Sequence, residues 1–507
     1  MRSYEKVIID EQEVCWQDVV QVARYGALLE LSDSVWEKID NAQKIVQGIV
    51  ESGENAYGIN TGLGSLCDVS LTAEQLSKLS RNTVLSHACG VGPILPDEQC
   101  RAIMCAAVVN YSKGKSGIHR NVVKGLLDCL NRGITPQVPS QGSVGYLTHM
   151  AHIGVCLLGI GNVSYQGKVI STSDAFLAEK LEPITLGAKD GLSLVNGTPC
   201  MTGLSCLALD DTWRLSKWAD VISALSFEAL KGQQDALDPE VLLLKPYEGV
   251  QIVGHNLRSL LNGSKNLIEH QGIHTQDALS IRAIPQVHGA VRDQLKHAAM
   301  QVNTELNSAT DNPLILGTPD NYRVVSQANP HGESVAMAAD LMSISIAELG
   351  GISERRLDRL INPLVSGLPA YLVSEPGANS GMMIVQYVVA SLCSENKRFS
   401  IPAVTDNYVT SALQEDHLSM GTTAALKLLN ILENTNKILA VEYLCAAQAC
   451  EFIDPSSMGK GSLKAWQLIR QSISSYNEDR WLAPEIEKSS ALIRDNALLT
   501  THFSDIQ

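Results

Sequence analysis

Aromatic residues make up only 5% of this 507-residue chain, and alternating apolar–polar runs are rarer still. That shortage leaves little for a sheet-based architecture to use. No uninterrupted apolar run of about 18 residues occurs, so no membrane span is expected. The opening stretch, MRSYEKVIIDEQEVCWQDVV, has acidic residues where an export signal needs an apolar core, so a cytoplasmic location is expected. An excess of basic charge is also missing. The 39 Lys and Arg against 54 Asp and Glu leave a net charge of −15, which offers nothing to a nucleic acid. The 12 cysteines include no CxxC pair and no Cys/His cluster at zinc spacing. They read as small buried hydrophobes, and neither a disulfide framework nor a metal centre is expected. Internal repeats and low-complexity linkers are absent as well.

What the chain does have is apolar content, 45% of all residues, enough for a large core. Long helical patterns dominate. Val335, Met342, Ile346 and Leu349 recur at spacings of seven, four and three, which is one face of a helix over residues 333–360. Residues 201–232 and 421–453 read the same way. The best candidate for short strands is 163–187, with Gly167 between two short runs. Gly and Pro cluster at 58–64, 139–145, 285–289 and 367–377, which marks turns. The expectation is a mainly α-helical protein, with a loop-rich N-terminal part over 1–205 and a long-helix bundle over 206–507. Wide apolar helix faces of this kind are commonly buried between copies of a chain.

Five local motifs carry chemistry. Tyr57-Gly-Ile-Asn-Thr-Gly-Leu-Gly64 is a glycine-rich loop with one Tyr at its start. Val84-Leu-Ser-His-Ala-Cys-Gly-Val-Gly92 places His87 in an apolar stretch. Asp190-Gly-Leu-Ser-Leu-Val-Asn-Gly-Thr-Pro199 sets Asn196 at a turn, where its amide can donate into a cleft. Gln276 and Arg282 stand six apart near a helix start, and an Arg fork is the natural partner of a carboxylate. Ser411-Ala-Leu-Gln-Glu-Asp-His-Leu-Ser-Met420 sets Glu415 among ionisable neighbours. Taken singly, each also reads as an ordinary turn or a hydrogen-bonded core residue.

In this order and spacing the motifs resemble the histidine and aromatic amino-acid ammonia-lyases. Glu305-Leu-Asn-Ser-Ala-Thr-Asp-Asn-Pro313, Ser366-Gly-Leu-Pro369, Asn379-Ser-Gly381 and Ser394-Glu-Asn-Lys397 match as well, so the resemblance covers roughly residues 8–500. It implies the helical fold of that superfamily and a homotetramer whose sites draw on three chains. It also implies elimination of ammonia from an α-amino acid to give an α,β-unsaturated acid. Family members activate the amine with a methylidene-imidazolone made from an internal Ala-Ser-Gly. By residue-wise match Tyr57 is the loop base, Asn196 and Arg282 hold the carboxylate and the electrophile's carbonyl, and Gln276 and Asn329 assist. His87 and Glu415 face the ring. Ser86-His87 and Gln414-Glu415-Asp416-His417 look like the histidine-specific branch, where a carboxylate suits an imidazole N–H.

The resemblance breaks at the electrophile. Gly142-Ser-Val-Gly145 runs straight into Tyr146-Leu-Thr-His-Met-Ala-His152, with the tripeptide missing between Gly145 and Tyr146. One explanation is that a mature chromophore, counted as one modified residue, drops out of a one-letter sequence. The other is a real deletion. A lost modified residue predicts an otherwise intact surround. Here Leu279 and Pro330 replace the family's Tyr and Phe, and Tyr146 and His149 replace its Asp and Pro, so a real deletion is favoured. Tyr146 and His149 are three apart, would share a face if that segment is helical, and are candidate acid–base replacements. Three functions follow from the sequence: an ammonia-lyase if Ala-Ser-Gly is encoded, a homologue with other chemistry on the same ligand class, or a non-catalytic binding subunit paired with a paralogous lyase.

Overall fold

The computed structural model describes residues 5–53, 56, 58–60, 71 and 73–507. The three expected helical stretches appear as Pro199–Ala229, Glu333–Ile361 and Gly421–Ala449. Val335, Met342, Ile346 and Leu349 are all fully buried along the second of these. The three helices pack on one another, and Ile284–Leu306 and Val385–Phe399 complete the bundle.

Pro199 sits in the first turn of its helix, where a missing N–H costs nothing. The helix that follows is apolar nearly all round and is accordingly enclosed on all sides. Gly203 permits the closest approach, since a Cβ there would lie 2.6 Å from the Ala102 backbone of Asp97–Ser112. Residue 205, near which the N-terminal part was expected to end, falls inside Pro199–Ala229. One continuous hydrophobic core runs across that point.

A buried ion pair crosses the bundle. Arg356 donates to Glu442 at 2.6 and 2.9 Å, with both side chains fully enclosed. Ser226 and Ser353 donate to the same carboxylate at 2.7 and 2.5 Å. One acidic group thus ties together the three long helices, and its hydrogen bonds are what make its burial tolerable.

Seven of the nine strands among the described residues precede residue 172, and all are short. In the stretch picked out for strands, Asn162–Tyr165 pairs antiparallel with Lys168–Ser171. Gln166 and Gly167 both take positive φ, 50° and 75°, in the two-residue turn between them. The chain then becomes helical over Thr172–Glu179. Two helices, Asp190–Ala229 as one run and Glu333–Ile361, are long and apolar enough to cross a membrane. In each, most of the apolar window, 94% and 67%, is buried inside the protein.

Candidate functional site

The segment on either side of the missing tripeptide is tightly built. Gly142 and Gly145 take φ of 111° and 143°, a region costly for residues with a Cβ. A Cβ at Gly145 would also lie 2.6 Å from Ser419 Oγ. Ser143 is buried, and its hydroxyl donates to the Tyr146 carbonyl at 3.1 Å. It also accepts from the Gly145 amide at 3.2 Å and pairs with Thr422 at 3.2 Å. Leu147 has φ 73° and ψ −68°, and a helix begins only at Thr148.

This geometry corrects one expectation. Tyr146 lies before the helix Thr148–Leu157, so it does not share a helix face with His149. The Tyr146 hydroxyl crosses to the 411–420 loop and donates to Glu415 Oε2 at 2.8 Å. Thr410 Oγ1 reaches the same oxygen at 3.3 Å. Burial, then the Glu415 hydrogen bond, push the Tyr146 phenol well above its ordinary pKa, so it keeps its proton and acts as a donor.

His149 turns elsewhere. Its Nε2 donates to the Ser140 carbonyl at 3.1 Å, and burial pushes the imidazole down to about 4 against the opposing pull of that hydrogen bond. Its Nδ1 has no hydrogen-bond partner among the described residues. It is buried and makes no hydrogen bond to Tyr146 or Glu415 among the described residues.

Asn196 ends the short helix Asp190–Val195. Its amide donates to Asp311 Oδ1 at 3.2 Å and the Asn312 carbonyl at 3.1 Å, and accepts from the Gly197 amide at 3.0 Å. Asp311 in turn holds the buried Lys189 at 2.6 Å and Ser193 at 2.9 Å. The sequence reading missed this enclosed cluster. Asp311 and Lys189 lie 122 residues apart, and no local spacing announces the pair.

Arg282 ends the one-turn helix Leu279–Arg282 with a buried Nε that has no partner among the described residues. Gln276 and Leu279 beside it are exposed, Leu279 at 65%. His87 ends Ala73–His87 half-buried, with Ser86 Oγ 3.1 Å from its Nδ1. Asn329 is exposed and donates to the Ala309 carbonyl at 3.0 Å. Tyr57, the expected loop base, lies outside the described residues. Within one chain, then, the structure joins Tyr146 to Glu415 and leaves Arg282 with an unmatched donor.

A family model described as aromatic amino acid lyase matches residues 14–471. The chain is 43% identical over 485 residues to a histidine ammonia-lyase of Symbiobacterium thermophilum, covering 95% of each chain. It is similar in structure to histidine ammonia-lyase from Trypanosoma cruzi, with a TM-score of 0.92, 36% identity, and 99% and 96% of the two chains covered. A tyrosine aminomutase from Streptomyces globisporus matches with a TM-score of 0.93 and 32% identity over 99% of both chains.

Proposed function

The chain belongs to the aromatic amino acid lyase family, in its histidine ammonia-lyase-like branch, and we propose that it binds an aromatic α-amino acid, histidine first, or the matching unsaturated acid, without using an imidazolone electrophile. The observation that carries this is the Tyr146–Glu415 hydrogen bond. The family's self-formed group does not fit here. Gly145 is followed directly by Tyr146, so no Ala-Ser-Gly is present to cyclise, and the Ser143 hydroxyl is already engaged.

Arg282 is the carboxylate partner, because a buried guanidinium N–H without an acceptor is costly until an anion meets it. Gln276, Asn329 and Asn196 line the approach, and His87 and Glu415 take the ring. Tyr146 already satisfies one oxygen of Glu415, so a ring N–H must either share that carboxylate or displace the phenol. Tyr57 is the candidate base for elimination, the second reading below.

The site is completed by further copies of this chain, in a homotetramer. Ile384, Tyr387, Val388, Ile401, Tyr408 and Val409 are each 42–67% exposed in a single chain, apolar surface of the kind that contact between copies covers. The working location is the cytoplasm.

The test is to mix purified protein with histidine, tyrosine and phenylalanine, following melting temperature and the ultraviolet absorbance of an unsaturated acid. A thermal shift without ammonia release is expected. Ammonia elimination is the second reading, favoured by the identity to the named histidine ammonia-lyases. Turnover in this assay, or Ala-Ser-Gly codons between Gly145 and Tyr146 in the gene, would establish it instead.

A further inference from the structure

The two loops that carry Asn329 and Glu415 also bring His331, Glu333 and His417 together. His331 Nε2 lies 3.1 Å from His417 Nδ1, with the ring planes inclined by 33°. Glu333 Oε2 is 3.8 Å from the other ring nitrogen of His331, Nδ1, rather than from the Nε2 that faces His417. One ligand atom from each residue lies within 4.8 Å of the other two. Two nitrogens bound to one zinc at 2.0–2.1 Å in a tetrahedron stand about 3.3 Å apart, so this imidazole pair, hydrogen-bonded to each other in the free protein, is at chelating separation once an ion replaces the shared proton. Glu333 Oε2 is buried and has no hydrogen-bond partner among the described residues. A carboxylate oxygen shielded from water and left unmatched is costly, and a cation removes that cost. Such a cluster is invisible to spacing rules, because the two histidines are 86 residues apart.

We infer that His331, Glu333 and His417 form a binding site for a divalent transition-metal ion of the zinc type. Two neutral imidazoles and one carboxylate are the donor set of zinc centres that keep a position open for water or a ligand. His331 and Glu333 retain 27% and 33% side-chain exposure, which leaves an entry path. The ion sits beside the cleft that holds Glu415, two residues from His417. The inference does not rest on the ligand proposed above, since it concerns the free protein.

The test uses the full-length protein stripped with a chelator and titrated with Zn2+ and separately with Co2+, without any amino acid. The native protein is expected to take up one more equivalent of Zn2+ than a His331→Ala/His417→Ala variant, and Glu333→Gln to bind about 10-fold or more weakly. Bound Co2+ is expected to give the intense visible bands of a four-coordinate ion. Equal uptake by native protein and double variant, or a Co2+ spectrum like that of the aqueous ion, overturns the inference. If the double variant fails to fold by circular dichroism, the native Co2+ spectrum and the single His417→Gln variant decide. Ligand-induced thermal shifts of the metal-free protein separate a failure here from a failure of the amino-acid reading.

Discussion

The middle of the bundle and the rim that carries the site solve the same problem in opposite ways. In the bundle, Glu442 is fully enclosed, yet it accepts four hydrogen bonds from Arg356, Ser226 and Ser353. At the rim, Arg282 Nε and Glu333 Oε2 are shielded and unmatched. The first arrangement holds a fold without need of any other molecule. The second leaves two charged groups with capacity to spare, which is what a site for an anion and a cation requires. The contrast is between these particular charged groups, since the bundle holds unmatched buried atoms of its own, Arg214 Nε, Trp218 Nε1 and Arg292 Nε among them.

Four experiments set that contrast at risk. Glu442→Ala strands Arg356 in the core and should cost about 3–5 kcal/mol in urea unfolding. A loss near zero would remove the bundle side of the comparison. Arg282→Met should leave the fold intact and weaken the ligand by roughly 10–100-fold, as expected for loss of about 1.5–3 kcal/mol from a charged hydrogen bond. An unchanged ligand-induced thermal shift would remove the carboxylate assignment.

The third experiment uses pH. His149 titrates near 6.5 when unfolded and about 4 when folded. Between those values the unfolded chain binds the extra proton, so stability is retained above about 6.5, falls as pH drops towards 4, and levels off below that for this group. Its share of the loss is about 2 kcal/mol at pH 5. His149→Gln, which keeps a donor for Ser140, should flatten that slope by a like amount. An identical pH dependence in both proteins would contradict the burial argument. The smallest effect on stability is expected from Tyr146→Phe, about 1 kcal/mol or less. Because Glu415 is freed, the variant should bind histidine more tightly relative to phenylalanine. An unchanged preference would mean that Tyr146 and the ring do not compete.

The long helices were legible because a 3.6-residue apolar period survives over 30 residues whatever the tertiary context, as Val335 to Leu349 illustrate. The hairpin at Gln166-Gly167 was legible because turn chemistry is local. The Tyr146–Glu415 contact spans 269 residues, and nothing in either motif points to the other. His149 misled for the opposite reason. Its distance from Tyr146 in sequence suggested a shared helix face, but positive φ at Leu147 delays the helix to Thr148. Arg282 was proposed from residue type and match, while its unmatched Nε depends on how the chain folds around it.

The crowding at Gly145 has a consequence for any change to this turn. With Ser419 Oγ 2.6 Å and Met201 Cε 3.2 Å from where a Cβ would sit, and the neighbouring phenol hydrogen-bonded to Glu415, any residue added or enlarged at this turn has to displace these groups first. The turn is a keyed joint, which only a residue without a side chain passes unless Ser419 or Met201 gives way.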